Sequence, residues 1–316
     1  MRENLRYGVI MDINKFSPTG AIDRKHLISL ANVTEDEIYE ILYKAKEIST
    51  RLLAGEKLTY LKNKYVTLLT KRSFARSRIA FETAVTKLAG IPMISTMHGS
   101  ELETIVKDKL TMEAIASYGV NAIVVQTAEA TDAEQIEKSV RIPIINANSK
   151  SGPCEALSAL LTVWKRKGRL SGLKLTMVGD PAVYADSFIY AFANCGFDIT
   201  LVCPPDKNPP EEVINHCNQY GDLVITDDLE DGLKGADVVF ISEDGLDFNY
   251  TVDSANLEFA KPDVIVLHTL PISPDGNLSE DVISSPAFAG LEEATCLPEI
   301  EMAVLSLLVG KPKNNL

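Results

Sequence analysis

The chain has 316 residues, of which 46% are hydrophobic and 24% charged, and a formal net charge of −13. That length suits two α/β domains better than a single core. The acidic balance argues against nucleic acid or an anionic membrane as partner, because both select clustered Lys and Arg.

Residues 1–25 read as an extended arm with a turn at Ser17-Pro18-Thr19-Gly20. A helix is expected from Thr34, which caps an acidic first turn, and Ile38, Ile41, Leu42 and Ala45 follow at helical spacing. Strands and helices then alternate. Strands are expected at Tyr65–Thr70, Ile91–Ser95, Val120–Val125 and Ile142–Ile145. The helices between them are expected at Arg76–Ala89, closed by Gly90, and over 103–118 and 132–140. This pattern implies a parallel sheet with buried strands. A helix over Pro153–Lys167, with proline in its tolerated first turn, is the candidate domain linker.

A second alternation follows. Strands are expected at Leu173–Val178, Asp198–Cys203, Leu223–Ile225, Asp237–Ser242 and Asp263–His268. Helices are expected at Val183–Asn194, Pro209–Tyr220 and Leu229–Lys234. A last helix, Leu291–Leu308, is expected to pack back on the first domain. The fold class is therefore α/β, with two doubly wound parallel-sheet domains joined by long helices. The expected division is residues 1–150, completed by the helical segment 291–316, and residues 151–290.

The five cysteines are scattered with no Cys-x-x-Cys pair, and the four histidines lack His-x-x-x-His spacing. They read as reduced thiols and as giving no metal site. No apolar run is long enough to span a bilayer. Met1–Tyr7 carries charge with no apolar stretch behind it, so no secretory leader is expected, and the cytoplasm is the expected compartment.

In open parallel sheets, ligands bind beyond the carboxyl ends of the strands. Three loops meet that rule: 71–78, 126–131 and 268–277. The first opens a helix, where free N–H groups and the helix dipole suit an anion. Arg76 and Arg78 stand there, two apart and so facing different ways. One would reach a bound phosphate while the other braces the loop, or both are structural ion-pair partners. His268 at a strand end is either a catalytic acid/base or a satisfied core histidine. Glu243 and Asp244 either bind a substrate amine or form a solvated turn. Cys154 near a helix start reads as inert for want of a sequence-near base. Gly179-Asp180-Pro181-Ala182 holds one of the three glycines that a dinucleotide turn requires.

The segment Lys71-Arg72-Ser73-Phe74-Ala75-Arg76-Ser77-Arg78 resembles the Ser-Thr-Arg-Thr-Arg phosphate loop of the aspartate/ornithine carbamoyltransferase family. Val266-Leu267-His268-Thr269-Leu270-Pro271 resembles that family's His-Cys-Leu-Pro or His-Pro-Leu-Pro loop. His26-Leu27-Ile28-Ser29-Leu30, Gly152-Pro153-Cys154-Glu155-Ala156-Leu157 and Ser279–Val282 through Glu292–Ala294 extend the likeness over His26 to Leu308, nearest the ornithine type. The resemblance implies a homotrimer with active sites between subunits and no metal or organic cofactor. It implies small-molecule substrates, a carbamoyl phosphate-like donor and an amino-acid-like acceptor. The catalytic residues it implies are His268 and Thr269. The substrate-binding residues are Arg76, Ser77, Arg78, Gln126, Glu155, Asp186, Ser242 and Leu270. In the family a loop from the adjacent subunit reaches the site, and Met97–Ser100 with Lys107 and Lys109 lies in that region.

Several polar family positions are changed. Phe74 and Ala75 replace the loop's Ser and first Thr, Gln126 a donor-binding Arg, Gly152 a carbonyl-polarising His and Glu155 a Gln. Thr269 replaces the Cys, Leu297 a C-terminal Arg, and Ser242-Glu243-Asp244-Gly245 the ornithine-binding Ser-Met-Gly loop. Two functions follow as expectations. One is a carbamoyltransferase-like enzyme of the ornithine type with altered donor or acceptor specificity. The other is a catalytically inactive member that binds a metabolite or a partner protein.

Overall fold

The computed structural model describes residues 11–71, 75–127, 130–147, 152–181, 185–241, 250–273 and 276–310. The chain divides into two compact units. One comprises Met1–Phe16, Val33–Glu35 and Ser158–Cys296, and the other Ser17–Asn32, Asp36–Leu157 and Leu297–Leu316. Helices Pro153–Lys167 and Gly290–Leu308 each change unit along their length.

The unit built mainly on residues 36–157 holds a parallel sheet in the order β2-β1-β3-β4. Its strands are β1 Tyr65–Lys71, β2 Ile91–Met97, β3 Ala122–Gln126 and β4 Ile144–Asn146. Helices α1 Glu35–Leu53 and α2 Ala75–Lys87 come first, followed by α3 Gly99–Lys107, α4 Lys109–Ser117 and α5 Ala130–Ser139. The chain reverses direction across the sheet between β1 and β3, which marks the crevice where a doubly wound fold binds ligands. The His26–Leu30 segment lies beside β4. Leu27 donates its N–H to Ile144 at 2.9 Å, and Asn146 donates to Leu27 at 2.9 Å. His26 Nδ1 accepts the Ile144 N–H at 3.2 Å, a structural role.

Three details depart from the pattern reading. The helix expected over 103–118 is two helices, because Asp108 ends one and caps the next, its side chain accepting from Thr111 N. Helix α2 ends at Lys87, and Ala89, not Gly90, takes the left-handed backbone at φ 62°. Gly90 answers a different need: a Cβ there would lie 2.9 Å from both Leu61 and Val85 side chains. Strand β2 is not buried. As an edge strand it leaves Ile91 and Met93 each 44% exposed.

The unit built mainly on residues 158–296 holds a five-stranded parallel sheet in the order β7-β6-β5-β8-β9. Its strands are β5 Lys174–Val178, β6 Asp198–Val202, β7 Leu223–Thr226, β8 Val238–Ile241 and β9 Ile265–His268. The reversal falls between β5 and β8. One core cluster packs a single face of this sheet, with Val178, Val239 and Val266, against flanking residues such as Leu233 and Leu278. Residues 185–189, expected in one α-helix with 190–194, form a π-helical stretch that passes into α-helix at Tyr190. Two short helices, Ser254–Leu257 and Glu280–Ile283, carry no apolar period long enough to announce them. Among the described residues no helix is long and apolar enough to cross a membrane.

Buried acids pin strand ends in this unit. Asp237, 3% exposed, accepts from Lys174 N at 2.9 Å and from Lys261 Nζ at 2.8 Å. Gly232 lets its helix approach β6, since a Cβ there would fall 2.1 Å from Val202 Cγ2.

Candidate active site

The carboxyl edge of β1 and β3 is the switch point of the first sheet. Thr70 and Gln126 are register partners there, and Thr70 Oγ1 donates to Gln126 Oε1 at 2.9 Å. That bond orients the amide, so Nε2 of the buried Gln126 points away and has no hydrogen-bond partner. An orphaned buried donor costs about 1–3 kcal/mol and is the kind of group a ligand satisfies.

Helix α2 starts directly beyond β1. Its first turn presents Arg76 and the buried Ser77. Arg76 Nη2 donates to Glu155 Oε1 at 2.6 Å, while Arg76 Nη1 is buried and unpartnered. Arg78, one residue past Ser77, is half-buried. Arg76 thus forms an ion pair and leaves one guanidinium nitrogen without a partner. At the end of β1, Lys71 Nζ pairs with Glu103 at 3.3 Å. Phe74, which stands where the family loop has its Ser, lies outside the described residues.

Glu155 stands in the first turn of α6, Pro153–Lys167. Burial pushes its carboxyl up from the ordinary glutamate range, and Arg76 opposes that shift. Beside it is a residue the sequence reading missed. Glu301, on the last helix, is fully buried with neither carboxyl oxygen hydrogen-bonded. Burial and then the neighbouring Glu155 push Glu301 well above the ordinary range, against the pull of Arg76. The signal was present in the sequence as an acid inside the apolar run Ile300–Leu305. Cys154 is buried in the same place, and burial, then Glu301 and Glu155, hold its thiol protonated. Ser77, Phe81, Gly152, Cys154, Glu155 and Glu301 line a cavity of about 10 Å³, the size of one water.

In the other unit, His268 closes β9 opposite Ile241 of β8. The ring is buried, and its Nδ1 lies 2.6 Å from the Thr269 carbonyl oxygen. A carbonyl can only accept, so the proton sits on Nδ1, and in the neutral ring Nε2 is the acceptor. Behind it, a Cβ on Gly290 would meet Phe288 Cζ at 2.4 Å and the His268 carbonyl oxygen at 3.0 Å. Thr269 and Leu270 follow, half-buried. At the end of β5, Gly179 takes φ 143° and Asp180 pairs with Lys207 at 3.0 Å. Asp186 falls in the π-helical stretch. Ser242, Glu243 and Asp244 lie outside the described residues. Among the described residues no three or more His, Cys, Asp or Glu are arranged to hold a metal ion.

These features match known proteins along most of the chain. Residues 25–165 match the family model of the aspartate/ornithine carbamoyltransferase carbamoyl-P binding domain. Residues 171–243 and 246–308 match the model of the Asp/Orn binding domain. An ornithine carbamoyltransferase of Pyrococcus abyssi is 29% identical over 311 residues, covering 92% of this chain and 97% of its own. The structure of ornithine carbamoyltransferase from Pyrococcus furiosus superposes with a TM-score of 0.83 at 27% identity, covering 92% of this chain and 98% of that one. Aspartate transcarbamoylase of Trypanosoma cruzi, solved with carbamoyl phosphate, shares the fold with a TM-score of 0.81 at 22% identity, covering 96% and 100%. With both family models matched and together spanning nearly the whole chain, the protein belongs to the aspartate/ornithine carbamoyltransferase family.

Proposed function

We propose that this chain is a carbamoyltransferase of the ornithine type, transferring a carbamoyl or closely related group to the amine of an amino-acid-like acceptor, with altered donor or acceptor specificity. The observation that carries the reading is the pair of orphaned donors, Arg76 Nη1 and Gln126 Nε2, at the carboxyl edge of the first sheet. A phosphate-bearing donor supplies the acceptor oxygens that both lack, and Arg suits planar, charge-assisted contact with such a group. The relatives' names support the chemistry, since those proteins are ornithine carbamoyltransferases.

In that reaction the acceptor's neutral amine attacks the carbonyl carbon. The bond from carbon to the phosphate oxygen breaks, phosphate leaves, and the amine gives up a proton. Charge develops on the carbonyl oxygen and needs preorganised donors. Ser77 and Arg78 belong to the donor half of this reading, with Gln126 and Arg76. His268, with Nε2 as its acceptor, Thr269 and Leu270 belong to the acceptor half, together with Asp186 and Ser242. Residues 1–150 with the helical segment 291–316 take the donor role and residues 151–290 the acceptor role. The chain acts as a homotrimer without a cofactor in the cytoplasm. The exposed apolar edge of β2 supports contact between copies, and light scattering of the purified chain tests it.

A second reading has its own observation. Glu155 already occupies Arg76 at 2.6 Å, as an internal anion would, which favours a non-catalytic member that binds a metabolite or a partner protein. A thermal-shift titration with carbamoyl phosphate, alone and with ornithine, separates the two. Ligand at a hundredfold its Kd stabilises the fold by about 2.7 kcal/mol. A shift supports donor use. No shift at millimolar ligand with folded protein overturns ordinary donor use and favours the second reading.

A further inference from the structure

Strand β4 ends the first sheet, and its outer edge is closed by the segment His26–Ile28. Leu27 is fully buried and pairs with Ile145 in parallel register. Two N–H groups of β4, those of Ile144 and Asn146, point toward this segment. Asn146 donates its backbone N–H to Leu27 O at 2.9 Å and its side-chain Nδ2 to Ile28 O at 2.9 Å. A continued parallel ladder would bring the Lys25 carbonyl to Ile144. The His26 ring takes that place, with Nδ1 accepting the Ile144 N–H at 3.2 Å.

An imidazole is a conditional acceptor. A ring that accepts through Nδ1 is neutral with its proton on Nε2, and a protonated ring has only donors. The Ile144 N–H therefore has this partner only while His26 is neutral. The charged groups that act on the half-buried ring are Glu137 of α5 and Lys25, its neighbour in the chain. Burial holds the ring below the ordinary histidine value; Glu137 opposes that shift and Lys25 adds to it. The rung is complete above about pH 6.5 and is lost as pH falls through that range.

The carboxyl end of β4 runs straight into the donor half-site. Ala147, the next residue, lines the small cavity with Ser77, Cys154 and Glu155. Its N–H donates to Val125 O at 2.9 Å, so β3 holds the inner side of this strand end while His26–Ile28 hold the outer side of β4. Building on the donor-site reading above, we infer that His26 is a pH-dependent positioning residue: neutral, it clamps the outer edge of β4 and steadies the strand end at the donor half-site; protonated, it releases that edge.

His26→Asn and His26→Leu test this. Asn Oδ1 is as far from Cβ along the side chain as His Nδ1, and it accepts at every pH. Leu offers no acceptor. Amide hydrogen exchange of the full chain, expressed as protection over the intrinsic rate, is followed at Ile144 at pH 7.5 and pH 5. Wild-type protection is expected to fall by at least about threefold over that interval, and by no more than about tenfold per pH unit, the linkage of one proton. In both variants it is expected to stay constant, high in His26→Asn and low in His26→Leu. Wild-type protection that does not change, or that falls equally in His26→Leu, overturns the clamp. Sulfate, dianionic over the whole interval, reads the link to the donor half-site. By calorimetry its affinity is expected to be equal in wild type and His26→Asn at pH 7.5 and at least about threefold weaker in wild type at pH 5. Equal affinities at pH 5 overturn the link. Sulfate bound by neither protein overturns the donor-site reading and the link with it, and the exchange at Ile144 then decides the clamp by itself.

Discussion

Replacing Glu301 with methionine is expected to stabilise the protein, an unusual result for a change in a core. The side chain is fully buried, and both carboxyl oxygens lack a hydrogen-bond partner. Leaving such groups unsatisfied costs about 1–3 kcal/mol, and an unbranched apolar side chain of similar reach removes that cost without opening a cavity. At roughly 2–4 °C per kcal/mol for a domain of this class, the melting temperature at pH 7 is expected to rise by about 2–12 °C. The effect depends on pH, with a definite sign. Glu301 keeps its proton to higher pH in the folded chain than in the unfolded one, because burial and Glu155 disfavour its charge. The favourable contribution is complete below the ordinary glutamate range and is lost as pH rises towards the raised value. The loss approaches about 1.4 kcal/mol per pH unit for one proton. In Glu301→Met that loss disappears, leaving the shallower one from Glu155, which burial raises and Arg76 opposes. Differential scanning calorimetry from pH 5 to 8 reads both effects, so the gap between variant and wild type should widen with pH. A variant that melts below wild type across the range, with a parallel pH profile, would refute the reasoning and show that Glu301 makes a stabilising contact.

Three further outcomes follow. Asp237→Ala removes the acceptor of a backbone N–H and of Lys261 Nζ at a nearly inaccessible site. Urea unfolding is expected to show a loss of about 2–4 kcal/mol, and a loss below 1 kcal/mol would contradict the role given to this acid. Gly232→Ala puts a methyl 2.1 Å from Val202 Cγ2 in the packed core. The expected cost is about 1–3 kcal/mol by the same assay, and an unchanged midpoint would mean the helix moves freely. His268→Ala is expected to lower any carbamoyl transfer by about 10²- to 10⁴-fold in kcat; equal turnover would make the histidine structural.

Much of the architecture was legible in the chain because parallel strands buried on both faces read as short apolar runs. Tyr65–Lys71, Ala122–Gln126 and Ile265–His268 stand out that way, and a helix at Pro153 announces itself by its first-turn proline. The candidate loops were legible for a related reason, since a strand–helix junction that carries arginine combines free N–H groups with positive charge. The family likeness added which junctions matter.

Other features were not legible. The apolar period continues through Leu102, Val106 and Met112, so the break at Asp108 was masked: the spacing survives a change of helix. Gly90 looked like a helix cap and is instead a point of close approach, because what it avoids is Leu61, a neighbour only in space. Edge and centre strands share composition, so the exposure of Ile91 and Met93 was set by strand order and not by the residues.

By itself, then, the amino-acid sequence determined the parallel α/β alternation, the placing of Arg76 at a helix start after a strand and that of His268 at a strand end. Periodicity and turn chemistry are local properties, which a linear chain records. Only the tertiary structure decided that Arg76 is held by Glu155 and that Glu301 is buried beside them without a partner. Charge pairing and desolvation depend on separations across space, and residues far apart along the chain carry no local mark of having been brought together.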